Sequence, residues 1–234
     1  MSKTAQKVSL KVLAVIVDDE GADNVTKIFR AAQVHLHYHV RAHGTASSEI
    51  LDLLGLGHSE KVVIMVLATQ YTIYGLQKKV ARELRLMAPG RGIAFVLPLS
   101  GISALAYRLL EHDMHQTEKR MESEVNVMNA QINHDLILAV INRGYSEELM
   151  DAAREAGAGG GTVVPAHRIN IENPMRFWGV SLQEEKDLVA IVSKRESKAA
   201  IMRAISHKCG LNSEAQGVVL SLPVESVIGL ETLE

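Results

Sequence analysis

The apolar run "LKVLAVIV" (Leu10 to Val17) is followed, after three acids, by Val25, Ile28, Phe29 and Ala32 at i, i+3, i+4, i+7. A β-branched run and then a 3.6-residue period predict a strand followed by a helix. A second strand is expected over Val34 to Ala42, and a loop and a third strand over Val62 to Ala68 come next. A helix presenting Leu76, Val80 and Leu84 on one face follows, and a last strand begins at Gly92. Beyond them the pattern starts again.

"LAVI" at Leu13 to Ile16 returns at Leu138 to Ile141, 125 residues on. "VRAHG" from Val40 answers "VPAHR" from Val164 at 124, so His43 matches His167. "EKVVIMV" from Glu60 answers "EKDLVAIV" from Glu185, and "GIAFVLPL" from Gly92 answers "GVVLSLPV" from Gly217. In the second pass Leu149, Ala152, Ala153 and Ala156 form the first helix face, with Ser146 as N-cap and Glu147 and Glu148 in the first turn. Ile201, Ile205 and Cys209 match Leu76, Val80 and Leu84, and Gly210 is placed as a C′ stop. Each pass reads β-α-β-β-α-β. The expected fold is α+β: two ferredoxin-like units in tandem, antiparallel sheets with helices on one face. Unit 1 is placed at 8–102, a helical linker at 103–133 and unit 2 at 134–234. Each sheet keeps one uncovered face, which predicts self-association. In the linker, Met114, Met121 and Met128 recur every seven residues and are read as packing on the protein itself.

Four glycines, Gly157, Gly159, Gly160 and Gly161, crowd the stretch "EAGAGGGTVV". Phosphate loops lead from a strand into a helix N-terminus, where free N–H groups and the positive dipole end meet the anion. Here the glycines follow a helix and precede a strand, so Gly157 is read as a C′ cap and the others as a tight turn.

The net charge is −2 and no basic block appears, which argues against a nucleic-acid binder. Aromatic residues at 4% leave little for a base-stacking platform. Cys209 is the one cysteine, so no internal disulfide forms. The N-terminal apolar run is too short for a membrane span, and a soluble, cytoplasmic protein without membrane insertion is expected.

The segment "ELMDAAREAGAGGGTVVPA" resembles the first helix and second strand of the PII nitrogen-regulatory signalling proteins, and "GVVLSLPVESV" is similar to that family's final strand. The resemblance covers nearly all of unit 2 and reaches unit 1 more weakly through the repeat. It implies a non-enzymatic, trimeric sensor that binds an adenine nucleotide or another anionic ligand. Such a sensor regulates a protein partner, a transporter or an enzyme. The family's phosphate loop reads Gly-x-Gly-Lys. In "APGRGIAF" Gly90 and Gly92 are kept with Arg91 between them, but Ile93 replaces the lysine; in "SEAQGVVL" only Gly217 is kept. Paired arginines of the family fall on neutral stretches, Ser100 to Ile102 and Val227 to Leu230. Missing charge-assisted contacts, at about 1.5–3 kcal/mol each, would remove ordinary triphosphate affinity. The ligand set implied is therefore Gly44, Gly90, Arg91, Gly92, His43, Thr162, His167, Arg168 and Gly217, with any surviving anion site in unit 1.

The family's long loop corresponds to "TASSEILDLLGLGHSE" and "INIENPMRFWGVSLQEE". Leu53, Leu54, Met175, Arg176, Phe177 and Trp178 stand there either as a partner anchor or as packing against a neighbouring subunit. In "VHLHYHVRAH", His35, His37 and His39 alternate on one strand face, while Val34, Leu36, Tyr38 and Val40 occupy the other. With the apolar face turned to the helices, the histidines point to the uncovered face, as interface residues or as a weak metal site. A metal there would make the nearest class the trimeric copper-tolerance proteins of the same fold. An oligomeric scaffold that has lost its ligand is the other alternative. No nucleophile with an ordered base and no P-loop appears, so no catalytic residue is named.

Overall fold

The computed structural model describes residues 9–34, 37–45, 59–99, 133–167 and 185–230. The chain is α+β. Its elements are β1 (Leu10–Val17), α1 (Asp19–Ala31), β2 (His37–Gly44), β3 (Ser59–Thr69), α2 (Gln70–Glu83), β4 (Ile93–Pro98) and β5 (His134–Asn142). They continue with α3 (Ser146–Glu155), β6 (Thr162–His167), β7 (Glu185–Lys194), α4 (Lys198–Cys209), β8 (Val218–Val224) and β9 (Ser226–Ile228). The second strand is described from His37, and Val34 belongs to the closing turn of α1.

Two compact units share the chain. Among the described residues, unit 1 comprises 9–34, 37–39, 62–99 and 224–230; unit 2 comprises 40–45, 59–61, 133–167 and 185–223. The contiguous boundaries drawn from the repeat leave residues 40–45 in the first half and 224–230 in the second, so each unit also holds a segment from the other half.

In unit 1, β1 runs between β3 and β4, antiparallel to both, with Leu13 opposite Val66 and Val96. Leu13, Val15 and Val17 face the helices, burying against Val25, Ile28 and Phe29 of α1 and Ile73, Leu76 and Val80 of α2. The period of two along β1 thus meets the period of 3.6 along each helix. Asp18 caps α1, accepting from the Gly21 N–H at 2.8 Å, and Thr69 caps α2. The outer edge of β4 is paired by β9, with Phe95 opposite Val227.

In unit 2, β7 runs between β5 and β6, and the far side of β6 pairs with the end of β2, His43 opposite Val163 and Gly44 opposite Thr162. Ile137, Ala139, Ile141, Val189 and Ile191 bury against Leu149, Met150 and Ala153 of α3 and Ile201, Ile205 and Cys209 of α4. Met150 is fully buried, which the four-residue face read from the sequence omits.

The glycine run closes α3 as expected. Gly157 has φ +95°; its N–H donates to the Arg154 carbonyl at 2.9 Å, and the Ala158 N–H donates to the Ala153 carbonyl at 2.9 Å. These two bonds make a Schellman closure. Gly161 has a different task. Its N–H and C=O both bond Thr45, whose hydroxyl accepts from that N–H at 2.8 Å and donates to that carbonyl at 2.9 Å. A Cβ at Gly161 would stand 2.8 Å from the Met150 sulfur and 3.3 Å from the Ala190 carbonyl oxygen, so the small residue lets the chain close on the core of unit 2.

Two expectations at helix ends are corrected. Tyr145, not Ser146, occupies the N-cap of α3 and makes no side-chain cap bond, leaving Ser146 as the first helical residue. Gly210 is the C-cap of α4 with extended backbone (φ −71°, ψ −177°), not a left-handed C′ residue. It is small for a steric reason, since a Cβ there would lie 2.1 Å from the Ser206 carbonyl oxygen.

Candidate functional site

The unit 1 loop begins where α2 closes. Arg85 takes φ 54°, and the Leu86 N–H returns to the Ala81 carbonyl, burying the Leu86 side chain. The chain then turns through Ala88, whose N–H donates to the Arg85 carbonyl at 2.9 Å, and reaches Gly90 at φ +72° and Gly92 at φ +112°. The two glycines differ in cause. A Cβ on Gly90 would meet nothing within 4 Å, so only its backbone conformation asks for glycine. A Cβ on Gly92 would lie 2.4 Å from the Ile16 carbonyl oxygen, so close packing on β1 excludes one. Arg91, between them, is exposed.

The end of the chain reaches this loop. Gly229 packs so closely that a Cβ there would stand 2.3 Å from the Gly92 carbonyl oxygen and 2.9 Å from that of Leu86. Four residues earlier, the Glu225 carboxylate accepts from Lys11 Nζ at 2.8 Å and from the Tyr74 hydroxyl at 3.1 Å. Burial pushes the Tyr74 phenol up to about 12, with the charge and hydrogen bond of Glu225 adding to it.

The matching loop in unit 2 is built differently. Gly217 donates its N–H to the Cys209 carbonyl at 2.8 Å, and a Cβ would clash with that same oxygen at 2.1 Å. Ala215 is buried, and Gln216 rather than a glycine takes the positive φ of 46°. Asn142 staples the loop from the core side: its backbone N–H donates to the Ala215 carbonyl at 2.8 Å and its Nδ2 to the Glu214 carbonyl at 2.7 Å. Lys186 Nζ donates to Asn142 Oδ1, and both side chains are buried. Sequence reading passed over Asn142 and Lys186. Their signal was a polar residue closing the apolar run "LILAVIN" and a lysine at the start of another. Cys209 lies in the core, and burial pushes its thiol up, away from the reactive thiolate, with Glu148 adding to that.

Of the other residues implied as ligands, His43, Gly44 and Thr162 meet in the β2–β6 ladder of unit 2, with Gly44 and Thr162 buried. His167 pairs with Glu185 at the end of β6. Gly90, Arg91 and Gly92 lie in unit 1, and Gly217 lies with Cys209 in unit 2. Arg168, Leu53, Leu54, Met175, Arg176, Phe177, Trp178 and His35, together with the linker methionines, lie outside the described residues.

The facing of the histidines is corrected. His37 meets the Phe29 ring of α1 edge to face at 5.9 Å, and His39 Nε2 lies 3.5 Å from the Thr26 hydroxyl of the same helix. The histidines therefore turn toward α1, and Tyr38, 58% exposed, takes the opposite face. The inward side of β2 gives His37 an edge-to-face ring contact with Phe29, although its Nδ1 is buried with no hydrogen-bond partner. The two imidazoles stand 5.4 Å apart, and burial and the neighbouring His37 hold His39 below the ordinary histidine value, against the opposing pull of Asp23. Among the described residues no group of three or more His, Cys, Asp or Glu side chains could hold a metal ion, and no helix is long and apolar enough to cross a membrane.

No family model matches the chain, and no curated protein matches it. Among solved structures it is similar to Arabidopsis thaliana PII bound to citrate, at 17% identity over 41% of this chain and 78% of that one, with a TM-score of 0.32. It is similar to GlnK of B. subtilis at 16% identity, over 39% of this chain and 86% of that one, TM-score 0.30. A microcompartments protein from Desulfitobacterium hafniense aligns at 12% identity over 92% of this chain and 94% of that one, TM-score 0.27.

Proposed function

We propose that the chain is a non-enzymatic regulator of the PII type, a tandem duplication of one ferredoxin-like unit. It senses a small anionic or nucleotide ligand and passes the signal to a partner enzyme or transporter. The observation that carries the ligand reading is the unit 1 turn, where Gly90 and Gly92 both take positive φ around an exposed Arg91. An exposed guanidinium carried on a tight glycine turn suits an anion. The unit 2 loop, filled by buried Ala215 and stapled by Asn142, supports the view that only unit 1 retains such a site.

Titration calorimetry with ATP, ADP, AMP, cyclic nucleotides and citrate tests this. Binding that Arg91→Ala or Gly90→Val weakens, and Gly217→Val weakens less, is the expected result. Equal loss from both loops would defeat the assignment to unit 1, and no heat from any of these ligands would defeat ligand sensing.

A scaffold reading has its own observation. On β8 of unit 2, Val218, Leu220 and Leu222 are 48%, 42% and 40% exposed, and on β3 of unit 1 Met65 is 37% exposed. Alternate apolar residues open to water on a sheet face favour self-association, with a trimer the preferred order. Light scattering that returned the mass of one chain at micromolar concentration would reject it.

A further inference from the structure

Residues 224–230 come from the far end of the chain, yet they complete unit 1. The way they are held is specific. Glu225 is read by Lys11 at 2.8 Å and Tyr74 at 3.1 Å, and the Glu225 N–H donates to the Val96 carbonyl at 2.9 Å. Ser226 is read by Gln77, a side chain only 2% exposed: Gln77 Nε2 donates to the Ala94 carbonyl, which orients its Oε1 to accept from the Ser226 hydroxyl at 3.0 Å. Ser226, Val227 and Ile228 then pair with Val96, Phe95 and Ala94 along the edge of β4.

The segment is recognised as well as packed: Val224 is 1% exposed and Gly229 lies against the Gly92 and Leu86 carbonyls. All three residues of β9 are half-buried, and of residues 224–230 only Ile228 packs against the apolar cluster of unit 1. That cluster is built from residues between Leu13 and Val96, so it stays whole if the strand leaves. The matching positions of unit 2 carry other groups. At 125 residues from Lys11, Tyr74 and Gln77 stand Leu136, Ala199 and Met202, which offer no ammonium, phenol or amide.

We propose that the edge of β4 with Lys11, Tyr74 and Gln77 is a strand-receptor site that takes residues 224–230 of a second copy of this chain in exchange for its own. A receptor that reads this chain's own Glu-Ser-Val-Ile makes the same bonds whether the strand arrives from the same chain or another. Exchange therefore loses no contact and is decided by concentration.

Complementation between two full-length variants tests it. Lys11→Met keeps the strand and breaks the receptor, and Glu225→Gln keeps the receptor and weakens the strand. Tagged Lys11→Met chain should retain untagged Glu225→Gln chain at least about ten-fold more than either variant retains itself, since a charge-assisted bond of this kind is worth roughly ten-fold or more in affinity. Equal retention in all three pairings overturns the proposal. If circular dichroism shows either variant unfolded, hydrogen exchange on the unaltered chain decides instead. Amides of 226–228 exchanging faster than those of β1 support a strand that leaves, and exchange of both only on global unfolding overturns it.

Discussion

Gln33 and Gly157, 124 residues apart, close their helices with the same pair of hydrogen bonds. Gln33 donates to the Arg30 carbonyl at 3.0 Å and Gly157 to the Arg154 carbonyl at 2.9 Å; Val34 and Ala158 then return to Phe29 and Ala153. Both residues sit at positive φ, 56° and 95°, but only one is the residue that this conformation favours. Gln33→Gly should stabilise the protein by about 0.5–1 kcal/mol and Gly157→Gln should destabilise it by a similar amount, measured by urea unfolding. A loss from Gln33→Gly would mean that the glutamine side chain contributes more than its backbone strain costs.

Glycines in the two loops before β4 and β8 should respond in the opposite order to what their backbone angles alone suggest. Gly90→Ala should cost about 1 kcal/mol, the penalty of left-handed backbone alone, because its Cβ enters open space. Gly217→Ala, at ordinary φ, should cost more, about 2–3 kcal/mol, because its Cβ meets the backbone oxygen of Cys209 at 2.1 Å. Thermal melts of the two variants, compared side by side, check the ranking.

Acid should weaken the fold near α1. His39 is held below the ordinary value of 6.5 by burial and by His37, so the unfolded chain binds its proton more readily than the folded one. Stability from this group is present above pH 6.5 and lost as pH falls through the lowered folded value. His134 shifts in the same direction, through burial and Lys194, so His39→Gln should flatten the acid limb of a stability profile only in part. An unchanged limb would show that His39 is charged freely in the folded protein.

At the alkaline end the phenol beside Glu225 should set a second limb. Its value of about 12 lies above the ordinary 10.0, so the folded state keeps a proton that the unfolded chain releases. The stability it contributes is whole below pH 10 and declines as pH rises toward 12. Tyr74→Phe should remove this part of the slope while also costing about 1 kcal/mol at neutral pH for the lost hydrogen bond. Denaturant midpoints from pH 8 to 11 measure both.

Much of the molecule was legible along the chain because the relevant physics is local. The apolar β-branched run "LKVLAVIV", the helical spacing of Val25, Ile28 and Phe29, and a glycine after "DAAREA" each report their own element, and β1, α1 and the α3 closure appear where those patterns stand. The offset of 125 residues carried the same order into the second half. What local pattern lacks is a record of which strand lies beside which. The apolar look of Val34, Leu36, Tyr38 and Val40 predicts the histidines of β2 on the open face, but His37 meets Phe29 of α1 and Tyr38 lies outside. Thr45 meeting Gly161, Lys11 meeting Glu225, and Asn142 holding the loop at Ala215 join residues 73 to 214 positions apart. A hydrogen bond across such a separation leaves no period in the sequence, so only the tertiary structure could decide that residues 40–45 belong to unit 2 and residues 224–230 to unit 1.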